Sequence, residues 1–217
     1  MPEKEPRISF HEQIQRNKAK SALLIGIVFI VLLLLGYAIS FALDPGYFFI
    51  VMIISIIFSM SYIVFGYYNS DKIALASVGA KKADISQYRQ LYNSVEGLTL
   101  ASGMPMPKIY IMESEQTNAF ATGRDPQHSV ICVTTGALKK LDKQELEGVL
   151  GHELSHIANF DIRFMTLTAV LIGMIAIISQ IFLRSLWYRG SNREGKGNPI
   201  FMLIAIALAI LAPILTQ

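Results

Sequence analysis

The sequence predicts an α+β protein in which a multi-pass helical membrane anchor carries a small domain, with one strong helix beside a short sheet. Of its 217 residues, 53% are hydrophobic and only 16% are charged, and the mean hydropathy is +0.45. These values are typical of a membrane chain. The apolar residues form four long runs, and the stretch between the second and third runs mixes helix and strand patterns. We therefore divide the chain into an N-terminal segment (1–20), a transmembrane helical hairpin (21–68), a small domain (69–163) and two further apolar segments (164–217).

The first two apolar runs predict a pair of membrane-spanning helices. Ser21–Leu43 contains 23 residues without a charge, and Tyr47–Tyr68 contains 22. Each run exceeds the roughly 20 residues that cross a hydrocarbon core. Asp44-Pro45-Gly46 between them favours a tight antiparallel hairpin. The first run is too long for a signal peptide, whose apolar region has about 7 to 15 residues.

Basic residues flank this hairpin on both outer sides and are missing from its turn. Because cytoplasmic loops are enriched in Lys and Arg, both flanks are expected in the cytoplasm and the protein in the cell membrane. A single cysteine, Cys132, excludes an intrachain disulfide and agrees with that compartment. A net charge of +3 without a basic motif gives no reason to expect nucleic-acid binding. The flanking residues are Lys4, Arg7, Arg16, Lys18 and Lys20 before the hairpin, and Lys72, Lys81, Lys82 and Arg89 after it.

The last two apolar runs leave two interpretations open. Phe164–Leu183 has 20 residues, but Ile200–Leu215 has only 16, which is about 24 Å of helix against a core of about 30 Å. The segment between them carries four basic residues and one acidic residue, which is unusual for an outside loop. Two full crossings and a shallow re-entrant hairpin both fit these runs.

Within the small domain, periodicity and turn residues predict five elements. Apolar residues at helical spacing indicate a helix that Gly103 ends, and alternating residues around a Gly-Arg-Asp-Pro turn indicate a β-hairpin. Asp142 and Glu145 form a capping box at the start of the strongest helix, whose apolar face should pack on the sheet. The elements are a helix 86–102, a strand Lys108–Met112, hairpin strands Asn118–Thr122 and Ser129–Val133, and the capped helix with Leu146, Leu150 and Ile157 on one face.

The capped helix carries the motif H-E-x-x-H, formed by His152, Glu153 and His156. A four-residue step turns a helix by only about 40°, so both imidazoles project from one side and can share one metal ion. Glu153 lies beside them, where it can take a proton from water. The pattern predicts one Zn²⁺ per subunit, with His152 and His156 as ligands and Glu153 as the catalytic base.

The motif leaves the third zinc ligand unidentified, although a catalytic zinc site needs three protein ligands. Ile162 stands where a metzincin would have its third histidine, which excludes that class. His128 falls in the hairpin turn, where a surface role is expected. If the helix continued, Asp161 would point about 180° away from His152. Glu194 would reach the site only if the third apolar run did not cross the membrane.

The chain also resembles a known family over nearly its whole length. Two N-terminal spans, Asn118-Ala119-Phe120-Ala121, the run from Leu146 to Asp161 and two further apolar segments resemble the HtpX-type membrane zinc metallopeptidases, which are related more distantly to CAAX prenyl proteases. The resemblance implies a small cytosolic zincin-like domain. It also implies that the third ligand is a glutamate on a helix after the fourth span, beyond Gln217, and hence that the chain is truncated.

The same resemblance implies that Asn118, Ala119, Phe120 and Ala121 form an edge strand that holds the substrate backbone. An equally good interpretation makes Phe120 a core residue and Asn118 a turn residue. We therefore expect a membrane zinc endopeptidase that acts in stress response on misfolded or damaged membrane proteins, with the membrane and polypeptides as partners. The alternative is a noncatalytic membrane adaptor or an inactive fragment, because no third ligand is found.

Overall fold

The structure is a computed structural model that describes residues 9–42 and 45–173. Its internal packing divides the chain into two units. Of the described residues, 9–22 and 68–167 belong to the sheet unit, and 23–42, 45–67 and 168–173 belong to the helical unit. The predictions for 174–183 and for Ile200–Leu215 lie outside the described residues.

Two long helices correspond to the predicted spans. Helix α1 covers Phe10–Ala42 and helix α2 covers Phe48–Ser77, with a short 3₁₀ turn at Pro45–Tyr47 before α2. Among the described residues, these two helices are long and apolar enough to cross a membrane. Both extend beyond the apolar runs, since α1 begins before Ser21 and α2 continues past Tyr68.

The helical unit exposes much of its apolar surface. Leu34 of α1 and Phe49 and Ile54 of α2 are each at least 60% exposed. Inside the unit, Gly36 lies so close to Ser55 that a Cβ atom would not fit. A continuous exposed apolar surface on paired helices is costly in water, so it fits a lipid environment.

A four-stranded sheet forms the centre of the sheet unit, in the order β1-β2-β4-β3. Strand β4 pairs in parallel with β2 and antiparallel with β3. The predicted strand at Lys108–Met112 and the predicted hairpin are both confirmed, whereas β1 and the parallel pairing were not foreseen. Strand β3 lies at one edge of the sheet. The strands are β1 (Lys81–Lys82), β2 (Lys108–Met112), β3 (Ala119–Gly123) and β4 (Ser129–Thr134).

Helices α3 (Arg89–Ser102), α4 (Thr135–Lys140) and α5 (Lys143–Ala158) accompany the sheet, and residues 161–173 form a further helix, α6. Gly103 ends α3 with a φ of 67°, a left-handed conformation that suits glycine. The predicted apolar face of α5 is confirmed, because its residues join buried residues of α3, β2 and β4 in one core. This core includes Val95, Ile109, Ile131, Leu150 and Ile157, each at most 1% exposed.

The thiol of Cys132 provides a test of this core. Cys132 lies in β4, is 1% exposed, and has its pKa raised by burial to about 11. At pH 8 we expect a thiol reagent to modify the native chain at least about 100-fold more slowly than the unfolded chain, because only the thiolate reacts. The reagent releases a chromophore when it reacts, so the increase in absorbance measures both rates. Equal rates in the native and unfolded chains would contradict the buried position of β4.

Candidate metal centre

The helix that carries the motif begins at a complete capping box. Asp142 Oδ1 accepts a hydrogen bond of 2.8 Å from the backbone N–H of Glu145, and Glu145 Oε2 accepts one of 2.9 Å from the backbone N–H of Asp142. The predicted cap is therefore confirmed. It satisfies two N–H groups that the helix itself leaves unpaired. Together with the buried face of α5, the cap holds the first turns of the helix in place.

The two histidines of α5 face the same point. Nε2 of His152 lies 3.2 Å from Nε2 of His156, and the two rings are nearly perpendicular. Two nitrogens bound to one tetrahedral zinc at about 2.05 Å would stand about 3.3 Å apart. The observed separation fits that geometry. The predicted pair is thus brought together with the spacing of two ligands to one ion.

Asp161 lies against His156 and does not point away from the site, as it would have done if the helix continued. Helix α5 ends at Ala158, and Phe160 has a positive φ of 60° in the turn that follows. The turn redirects the chain, so that Asp161 Oδ2 lies 3.1 Å from His156 Nδ1. The expectation applied to an uninterrupted helix, and the turn at residues 159–160 does not meet that condition. A carboxylate on the second ring nitrogen of a histidine orients the ring and favours the tautomer whose Nε2 is free to bind a metal.

Glu153 points from α5 to the edge strand β3. Its Oε2 atom accepts a 2.9 Å hydrogen bond from the backbone N–H of Ala121. Glu153 is half-buried and follows His152 directly on the helix. The carboxylate is therefore held between the histidine pair and the outer edge of the sheet.

Alternate residues of β3 direct their backbone groups to opposite sides, as in any antiparallel pair. Asn118 faces β4, because its carbonyl accepts from the N–H of Thr134 at 3.0 Å. Ala121 and Gly123 face outward, with their N–H groups donating to Glu153 and to Oγ1 of Thr166. Ala119 shares this outward register. The predicted strand 118–121 is thus at a sheet edge beside Glu153, but Asn118 precedes the strand and its backbone is turned inward.

The remaining predicted residues do not complete the site. Phe120 packs on the opposite side of the sheet with Val130 and Cys132, as the core interpretation expected. His128 pairs with Asp125 at 2.8 Å in the hairpin turn, consistent with a surface role. Burial would raise the pKa of Asp125, but hydrogen bonds from His128 outweigh it and lower the pKa below its usual value.

Within residues 9–42 and 45–173, the structure contains no group of three metal-ligating side chains. The described part of the site supplies two imidazoles, a supporting carboxylate and a neighbouring base. Glu194 and the expected glutamate beyond Gln217 lie outside that part. A catalytic zinc site needs three protein ligands, and the described residues offer two at this place.

Comparison with known proteins identifies the class to which this arrangement belongs, namely the peptidases. Residues 85–217 match the model of peptidase family M48, and the chain belongs to this family. It is 41% identical to a protein named "Protease HtpX homolog" from Dictyoglomus thermophilum, over 95% of this chain and 67% of that protein. Two further proteins of that name are similar: one from Caldanaerobacter subterraneus subsp. tengcongensis is 42% identical (95% and 70% covered), and one from Streptococcus pneumoniae is 36% identical (94% and 70% covered).

These relatives confirm the resemblance to HtpX-type peptidases. The described part of the chain itself has a mixed fold of helices, a small sheet and two long apolar helices. The match to the family model includes α3, the whole sheet except β1, and the H-E-x-x-H helix.

The capping box gives a prediction for the helix of the metal centre. Replacing Asp142 by alanine should destabilise the protein by about 1 kcal/mol, because the N–H of Glu145 loses its acceptor. Asp142→Asn keeps an acceptor oxygen and should cost less. Thermal unfolding followed by circular dichroism in detergent compares both variants with the parent. Equal melting of Asp142→Ala and the parent would show that the cap adds nothing to stability.

Proposed function

We propose that the chain is a zinc-dependent membrane endopeptidase of the HtpX type. One observation carries the proposal: two imidazole nitrogens 3.2 Å apart, four residues apart in the sequence, and a carboxylate next to the first of them lie on one capped helix of a family M48 peptidase. The substrates proposed are misfolded or damaged membrane proteins, which follow from the resemblance. The apolar helices α1 and α2 and the basic residues on their flanks support a location in the cell membrane with the sheet unit in the cytoplasm.

His152 and His156 would hold the zinc ion, supported by Asp161 on the second ring nitrogen of His156. A third ligand is proposed from outside the described residues, which would leave the fourth position open to water or substrate. Zinc, when bound, lowers the pKa of water towards 7 and polarises the carbonyl of the scissile peptide bond.

Glu153 is proposed as the group that moves the proton. Its carboxylate accepts a proton from the water that attacks the peptide carbon and then donates it to the leaving nitrogen. The hydrogen bond from the N–H of Ala121 orients one carboxylate oxygen and leaves the other available for this transfer. The same hydrogen bond joins Glu153 to strand β3, so it also keeps the carboxylate close to any polypeptide bound at that edge.

The outward backbone groups of Ala119 and the outward carbonyl of Ala121, whose N–H already donates to Glu153, are proposed to bind the substrate as an added strand. Strand addition uses main-chain hydrogen bonds, which every peptide sequence can form. The side chains of Ala119 and Ala121 are single methyl groups, so they impose little preference on the sequence of the substrate. Broad specificity suits a peptidase that removes damaged proteins. Phe120 has no part in this contact, because its backbone groups face β4 and its side chain packs on the other side of the sheet.

Metal binding provides the first test. Protein purified without chelators should contain one zinc per chain, measured by elemental mass spectrometry. Removing a residue that only supports a metal ligand lowers metal affinity by roughly 10- to 100-fold. Because His152→Ala and His156→Ala each remove a ligand itself, each should lower zinc affinity by more than that. His128→Ala, in the hairpin turn, is the matched control and should bind like the parent. A chain that holds no transition metal would contradict the proposal.

Catalysis provides the second test. Glu153→Gln should retain zinc but cleave casein at least about 100-fold more slowly, since the amide cannot accept the proton. Glu147→Gln, on the same helix, is the control, because Glu147 instead accepts from Ser94 at 3.1 Å. Equal cleavage by Glu153→Gln and the parent would contradict the role of Glu153. A zinc-loaded parent that cleaves nothing would favour the noncatalytic adaptor.

A further inference from the structure

The N-terminal part of α1 contacts the turn that brings Asp161 to the metal centre. Both segments belong to the sheet unit. The side-chain amide of Asn17 donates to Oδ1 of Asp161 and also donates to the carbonyl of Asn159, at 3.1 Å. Asp161 uses its other oxygen, Oδ2, for His156. One carboxylate thus links a residue of the first helix to a histidine of the motif.

Neighbouring contacts hold Asn17 at this position. The ammonium group of Lys18 lies 4.3 Å from the centre of the Phe160 ring, a distance suited to a cation–π contact. One turn later, Ser21 is 2% exposed and its hydroxyl donates to the carbonyl of Asn17 at 2.8 Å. Asn17 and its neighbour Lys18 therefore contact all three residues 159–161 of the turn, while Ser21 bonds to Asn17 within the helix.

The turn needs such support because of its backbone. Phe160 adopts a left-handed conformation with a φ of 60°, which is unfavourable for a residue with a side chain. Such conformations persist when surrounding contacts impose them. The amide of Asn17 bonds to residues on both sides of Phe160, namely Asn159 and Asp161, and so ties the two ends of the turn together.

We propose that Asn17 is a positioning residue for the metal centre, which acts through Asp161 on His156. By occupying Oδ1, its amide fixes the rotation of the carboxylate so that Oδ2 faces Nδ1 of His156. The imidazole is then held in the orientation and tautomer that direct Nε2 towards His152. This inference rests on the proposed metal site. It assigns to the first helix a chemical role besides anchoring.

A double-mutant cycle on the full chain in detergent tests the proposal, with zinc affinity measured by competition with a chromophoric chelator. Asp161→Ala should lower the affinity by about 10- to 100-fold. Asn17→Ala should lower it by about three- to tenfold, the effect of one hydrogen bond. Because Asn17 acts through Asp161, the double variant should lose little more than Asp161→Ala alone. Gln15→Ala, an exposed amide on the same helix, is the control and should match the parent.

A second readout needs no metal. Selective ¹⁵N labelling of the four histidines reports the tautomer of each ring, and substitution of His156 assigns its signals. The parent should carry the Nδ1–H tautomer at His156, and Asn17→Ala should shift it to a mixture. Asn17→Asp keeps the side-chain size but places a second carboxylate beside Asp161. Its effect on the His156 tautomer should therefore be larger than that of Asn17→Ala. Slow modification of Cys132 verifies that each variant is folded.

The outcomes separate this inference from the proposed function. Unchanged zinc affinity and an unchanged His156 tautomer in folded Asn17→Ala would overturn the role of Asn17 alone. The role would also be overturned if Asn17→Ala lowered zinc affinity as much in the Asp161→Ala variant as in the parent. Asn17 would then not act through Asp161. A parent chain that binds no zinc would overturn the metal site, and the tautomer measurement would still decide whether Asn17 positions His156.

Discussion

On the proposed function, the chemistry of this protein depends on the approach of two imidazole nitrogens on one turn of α5. A helix of 16 residues would not hold such a pair steadily by itself, because isolated helices only slightly shorter are marginal in water even when they are rich in alanine. Here α5 is fixed at three places. Its N-terminus is capped, its apolar face is buried in the core of the sheet unit, and its C-terminus is followed by a turn that returns Asp161 to His156. Each constraint removes a freedom that would separate the two nitrogens.

The parts of this arrangement that could be predicted are those coded by nearby residues. The capping box spans four positions, the histidine pair spans five, and strand β2 and the hairpin follow from alternation and turn residues. All of them were found where the sequence indicated. The start of α3 was placed too early, because Asp84 accepts a hydrogen bond from the N–H of Ser86 at 2.7 Å and holds a turn ahead of the helix.

The parts that could not be predicted depend on contacts between residues far apart in the sequence. The direction of Asp161 follows from the left-handed conformation of Phe160, for which a phenylalanine gives no local signal. Asn17 is 144 residues away from Asp161, so no pattern in either segment indicates their contact. The parallel pairing of β2 with β4 and the two-residue strand β1 likewise become visible only once the sheet is assembled.

An exposed sheet edge is usually a liability, because its unpaired backbone groups invite aggregation. In this chain the outer side of β3 is partly occupied by the protein itself, through Glu153 at Ala121 and Thr166 at Gly123. Only a short length of edge is left for another strand, and that length lies beside Glu153. On the proposed function, the same backbone contact that limits unwanted pairing also keeps the base at the place where a bound polypeptide would be cut. On that proposal, protection of the edge and alignment of the Glu153 carboxylate both follow from the hydrogen bond between Ala121 and Glu153.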